Sequence, residues 1–235
     1  MIKKTLMLQK RKGETPLACM ERFRSGNPNY IGLPMTYAGR LDPIATGELL
    51  VLVGDECKKK EEYLGLDKEY EATILFGFQT DSFDVLGLSE SKDLIPKEEV
   101  ARKLLEFVGK FSQTYPPYSS KTVNGKQLHE YARAGDIDSI ELPTKNVEIY
   151  SIESIDFDHL TTDDLIKEVS ETIQSVVGDF RQKETTRTWQ ELLQTETNHL
   201  IVQFKIKVSS GTYIRSIANN LGGTLLRLNR TKIFN

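Results

Sequence analysis

Residues 200–208, LIVQFKIKV, are the clearest strand in the chain: apolar and polar residues alternate towards Gly211, the pattern of a half-buried sheet. Three further segments read the same way: the alternating KEYEATILFG at 68–77, the apolar ELLVLV at 48–53 and TLMLQ at 5–9. A fifth strand is expected over 145–156. Helical spacing falls between them. Thr15-Pro16 opens a helix with Leu17, Met20 and Phe23 on one face, and Gly26-Asn27-Pro28 breaks it. Residues 97–108 place Val100, Leu104, Leu105 and Val108 on one stripe. Residues 127–134 suit a short helix, 114–126 a loop, and 214–228 a helix. Strands and helices interleave without a βαβ rhythm, which favours an α+β fold with a mixed, mainly antiparallel sheet over a doubly wound one. With 235 residues, no repeat and no linker-like tract, one domain spanning 1–235 is expected.

Charge is unevenly spread. The chain carries −3 overall, but residues 1–60 hold 11 Lys/Arg against 6 Asp/Glu, and residues 200–235 hold 6 basic residues and no acid. Residues 136–199 hold 5 basic against 15 acidic residues. A polyanion needs a local basic face and not a basic average, so nucleic acid stays open as a partner. Mean hydropathy is −0.39 and no apolar run nears twenty residues, which argues against a membrane span; the opening MIKKTLMLQKRKGE is too polar for a secretory signal. Cys19 and Cys57 stand alone and far apart, and His129, His159 and His199 are scattered, so neither a disulfide framework nor a metal cluster is expected. A cytoplasmic setting follows as the default.

The segment from Tyr37 to Leu50, YAGRLDPIATGELL, carries the most information. Asp42-Pro43 on its own reads as an ordinary helix start, Asp as N-cap and Pro at N1. No P-loop, GxGxxG or GxSxG pattern is present. GRLDPIATGELL resembles the catalytic loop of the TruB-type pseudouridine synthases, G-x-L-D-P-x-A-x-G-x-L. Further segments resemble that family in order: Lys10-x-x-Gly13-x-Thr15, Lys68-Glu69-Tyr70, Gly77-x-x-Thr80-Asp81-x-x-Asp84, Pro116-Pro117-Tyr118-Ser119-Ser120 through Arg133, Ser210 to Ser216, and Leu228-x-Arg230-Thr231.

The resemblance implies the pseudouridine synthase fold with a central cleft, and isomerisation of uridine in the T-arm of tRNA, at position 55. Asp42 is implied as the nucleophile, Arg215 as its ionic partner, and Tyr70 as the ring that stacks on uracil and helps remove the C5 proton. Tyr37 and Arg40 belong to the same loop, and Tyr213 is implied as a pocket wall. Asp84 is implied to order the rim. Residues 112–145 would form a thumb-like loop gripping RNA, with Lys121, Lys126 and Arg133 on phosphates and Lys10 as a further contact. The reaction calls for no cofactor or metal, and nothing demands more than a monomer.

Five departures from the family pattern stand out. Tyr37 takes the place of a His, Arg11 that of a Pro, and Thr122 that of the thumb lysine, with Lys121 one place earlier. The acidic segment 158–198, with Leu165, Val169, Ile173 and Val177 at helical steps, reads as an outward-facing helical insertion. Many relatives also continue into a PUA-type domain, whereas this chain stops four residues after Thr231. An alternative is a non-catalytic RNA-binding or tRNA-folding protein that keeps the fold. It would be expected to have lost one of Asp42, Tyr70 and Arg215, and all three are retained.

Overall fold

The computed structural model describes residues 2–234. In chain order, β1 (Thr5–Lys10) leads to α1 (Pro16–Ser25), β2 (Met35–Ala38), β3 (Thr46–Val53), α2 (Lys60–Leu64), β4 (Asp67–Phe76), and the small pair β5 (Phe78–Thr80) and β6 (Ser89–Ser91). There follow α3 (Lys97–Glu106), β7 (Gly109–Thr114), the two-residue strands β8 (Thr122–Val123) and β9 (Lys126–Gln127), and α4 (Leu128–Ala134). The chain ends with β10 (Thr144–Thr161), α5 (Thr162–Ser175), α6 (Gln182–Leu192), β11 (Asn198–Val208), α7 (Ile214–Asn220) and β12 (Gly223–Phe234).

One sheet runs β1-β3-β12-β4-β11-β10-β7, with β2 added on β3. Every pairing in it is antiparallel except β3 with β12, which meet in parallel over only two residue pairs. This is the expected α+β, mainly antiparallel arrangement. The strand alternation in β4 and β11 turns Tyr70, Ala72, Ile74, Val202, Phe204 and Ile206 into the largest buried cluster, which α3 and α7 cover with Val100, Leu104, Ile214 and Ile217. A second cluster on the other side joins Leu75, Ile201 and Leu226 to Leu165, Val169 and Ile173 of α5 and Trp189 of α6.

Several elements differ from expectation. The helix after Gly211 is short: α7 stops at Asn220, and the chain becomes strand β12. Gly222 (φ 77°) ends the helix, and a Cβ on Gly223 would lie 2.7 Å from the Leu75 carbonyl oxygen, so this Gly-Gly step lets the backbone turn straight onto β4. Helix α3 buries Val100 and Leu104, while Leu105 and Val108 stay about half exposed. Leu17 of α1 is likewise exposed. In the acidic segment, 158–161 still belong to β10, and Val176 fills the core position expected of Val177, which is 82% exposed. No helix among the described residues is long and apolar enough to cross a membrane.

Candidate active site

Asp42 lies on the loop between β2 and β3, and that loop is not a helix start: the Ala45 amide donates to the Asp42 carbonyl in a tight turn, and β3 follows. Two buried cations shape it. Lys10, 2% exposed, donates through Nζ to the carbonyls of Ala45 (2.5 Å), Arg11 (3.1 Å) and Pro43 (3.3 Å). Burial lowers the Lys10 pKa to about 8. Arg230, 1% exposed on β12, donates to the carbonyls of Glu48 and Gly39, one on each side of the loop. Gly47 (φ 99°) sits where β12 crosses β3; a Cβ there would lie 2.2 Å from the Arg230 carbonyl oxygen, so the motif glycine is required by this close approach.

Arg215 enters from the first turn of α7 and meets Asp42, its Nε donating to Oδ2 at 2.9 Å. The other nitrogens of the fork reach two more loops: one donates to the Ser82 carbonyl (3.0 Å), the other to the Tyr118 carbonyl (2.8 Å). The Arg215 side chain is 4% exposed and that of Asp42 is 27% exposed. Burial opposes the Arg215 charge, but Asp42, Asp84 and Tyr213 outweigh it and its pKa is raised. The pair borders a cavity of about 790 Å³ that is also lined by Tyr37, Arg40, Tyr70, Asp84, Tyr213 and Arg133. Tyr70 stands on β4 opposite Ile206 and Arg230, nearly buried, and burial raises its phenol pKa. Tyr213 packs edge-on against Tyr115 with ring centres 5.6 Å apart, and its pKa is also raised by burial.

A family model described as TruB family pseudouridylate synthase (N terminal domain) matches residues 34–177, more than half of the chain. This chain belongs to the TruB family. It is 34% identical to a tRNA pseudouridine synthase B of Nostoc sp. over 95% of this chain and 65% of that protein. It is also 34% identical to the Lactobacillus acidophilus tRNA pseudouridine synthase B over 80% of this chain and 53% of that one. The chain thus spans between about half and two thirds of these curated relatives. Among solved structures, a chain of a Cbf5-Nop10-Gar1 complex superposes with a TM-score of 0.56 at 18% identity, covering 97% of this chain and 48% of that chain. That likeness establishes the pseudouridine synthase fold.

Within this TruB-family cleft, Tyr37 and Arg40 form one edge, Arg40 donating to the Tyr37 hydroxyl at 3.4 Å while Lys60 lies 5.5 Å over the Tyr37 ring. Lys121 and Lys126 stand apart from the cavity lining, 5.5 Å over Tyr115 and 4.4 Å over Tyr131 respectively. Arg133 lines the cavity and donates to the Asp179 carbonyl. Lys10 departs from its expected place on the RNA face, because its ammonium is spent on three loop carbonyls. The sequence reading missed Ser82 and Tyr118 as supports of the ion pair, because backbone carbonyl acceptors leave no side-chain signal, and Arg230 as a brace of the Asp42 loop. It also missed Lys145, whose Nζ donates to the Ser210 carbonyl at the cavity wall.

Asp84 is 5% exposed, and accepts from Ser82 Oγ (2.8 Å) and the Leu86 amide (3.0 Å). Burial raises its pKa from 3.8 to about 6, against the pull of Arg215. A carboxyl raised on folding holds its proton better in the native state. Its contribution to stability is therefore complete below about 3.8 and is lost as pH climbs through about 6. That loss amounts to something on the order of 3 kcal/mol. The expected outcome is that Asp84→Asn gains stability relative to wild type between pH 4.5 and 7. Urea unfolding of both proteins at the two pH values measures it; a constant difference would refute the assignment.

Proposed function

We propose that this chain isomerises uridine to pseudouridine in the T-arm of tRNA, at position 55, in the cytoplasm and as a monomer. The observation that carries the reading is the Asp42–Arg215 pair beside Tyr70 in a cavity of about 790 Å³. A base inside a stacked loop cannot reach such a site, so it must flip out, at a cost of roughly a few kcal/mol. Tyr70 then offers a ring to stack on, and Tyr37 offers a flat face at the entrance. Arg215 engages Oδ2 of Asp42, while Oδ1 has no side-chain donor among the described residues.

The carboxylate supplies an electron pair to the nucleoside, and the N1–C1′ bond breaks with its pair remaining on uracil. The base turns, C5 bonds to C1′, the bond to Asp42 breaks with its electron pair returning to the carboxylate, the C5 proton leaves, and N1 takes up a proton. Atoms balance within the substrate and water. Arg133, Lys121 and Lys126 contribute phosphate contacts around the entrance.

The test is tritium release from tRNA transcripts labelled at uridine C5, since C5 yields its hydrogen only on becoming the glycosidic carbon. Release from a full tRNA, its absence from a transcript lacking the T-arm, and mapping to one T-loop uridine are expected. Binding of tRNA without any release would favour the non-catalytic RNA-binding reading.

A further inference from the structure

The acidic segment is not an outward-facing appendage. The family model's match ends at residue 177, and the connection that follows, between α5 and α6, turns back into the cavity wall with Phe180 and Arg181. Its seat is specific. Trp189 of α6 is 2% exposed and donates from its indole nitrogen to the Val85 carbonyl (3.1 Å), and Thr185 donates to the Leu86 carbonyl (3.2 Å). At the turn itself Arg181 has φ 56°, an uncommon conformation for a residue with a side chain.

From there Arg181 forms a two-pronged pair with Asp81, 2.7 Å to Oδ2 and 3.1 Å to Oδ1. Its guanidinium also lies 4.8 Å over the ring of Tyr118. The Tyr118 hydroxyl donates to the same Asp81 at 3.0 Å, and burial raises its pKa to about 12. The Tyr118 carbonyl is the acceptor for Arg215. On the other side of the connection, Arg133 of α4 donates to the Asp179 carbonyl, so the thumb segment is gripped at both ends.

We propose that Arg181 is a positioning residue that latches the thumb loop, holding Tyr118 against Asp81 and thereby fixing the acceptor that orients Arg215 towards Asp42. The role rests on the synthase reading for its catalytic consequence, while the latch itself is independent of it. The guanidinium's charge is already matched by Asp81, so Arg181 acts on loop geometry rather than on the RNA phosphates. A lysine cannot replace it, because an ammonium neither pairs in two prongs nor stacks flat on a ring.

Two readouts test this with the full chain. In single-turnover tritium release, Arg181→Ala and Asp81→Asn should each slow the reaction about ten- to a hundredfold, the range expected for a misplaced catalytic group. The double variant should be no slower than the worse single one, and Arg181→Lys should recover little. Affinity for tRNA and its salt dependence should be unchanged. Hydrogen exchange of residues 115–127 should accelerate in both single variants while the Tm of the whole protein stays within a few degrees. Accelerated exchange with an inactive wild type would sustain the latch and remove only the synthase reading. Unchanged exchange would overturn the latch. So would an unchanged rate with weakened tRNA binding and a salt slope reduced by about one, the mark of a phosphate contact.

Discussion

Asp42→Asn is expected to abolish tritium release while leaving tRNA binding in place. The substitution preserves size and retains one carbonyl oxygen for Arg215 Nε, so the loop held by Lys10 and Arg230 has no reason to move. What disappears is the electron pair of a charged carboxylate. Removing a nucleophile that acts with its partners as a unit costs about 10⁴-fold or more in rate, far more than losing a supporting contact. On the proposed reading, binding depends on other groups spread over the cavity mouth, and one negative charge fewer can only ease the approach of a polyanion. Filter binding and single-turnover release on the same preparations separate the two effects. Residual release within tenfold of wild type would remove Asp42 from the nucleophile's role, whatever the binding.

How well the sequence foretold this molecule depended on which forces acted locally. β4 and β11 were legible because one face is buried and the other is not, so each residue's environment is written in its neighbours two positions away. Helix α1 was legible through Thr15, whose hydroxyl accepts from the Ala18 amide, and Pro16. The end of α7 was not. Residues 221–228 contain enough leucine to continue a helix; Gly222, at φ 77°, ends it, and Gly223 then packs against Ile74 and Leu75, residues about 150 positions away.

The candidate site divides along the same line. Asp42, Arg215 and Tyr70 are far apart in sequence, and only their family motifs joined them beforehand; the fold joins them physically. Lys10 carried a motif position, but its role followed from burial, which no motif states: a lysine on a half-buried strand end was free to face solvent or the loop, and three carbonyls decided it. The α5–α6 connection was the least legible part. Its acidic composition pointed away from RNA, and the single arginine that matters there acts through an aspartate and a tyrosine on two other loops.

Replacing Arg215 should produce the second large effect, and its dependence on pH should reveal the cause. The guanidinium joins three loops with three separate donors, to Asp42 Oδ2, to the Ser82 carbonyl and to the Tyr118 carbonyl. Arg215→Lys keeps the charge but offers a compact ammonium on a flexible stem, so the expected loss in turnover is about 10²-fold or greater, with stability little changed. Arg215→Ala also removes the cation that faces Asp42 and buried Asp84. Stranding charged carboxylates in this way costs about 3–5 kcal/mol. That cost must vary with pH. Arg215 draws the Asp84 pKa down, so without it Asp84 keeps its proton to a pH above about 6. A protonated Asp84 needs no cation, so the variant should be least impaired under acid conditions and progressively worse as pH rises. Urea unfolding of wild type and Arg215→Ala at pH 5 and pH 8 measures the difference directly. Equal destabilisation at both values would mean that Arg215 holds the three loops by packing and hydrogen bonding alone, and that its charge is reserved for Asp42.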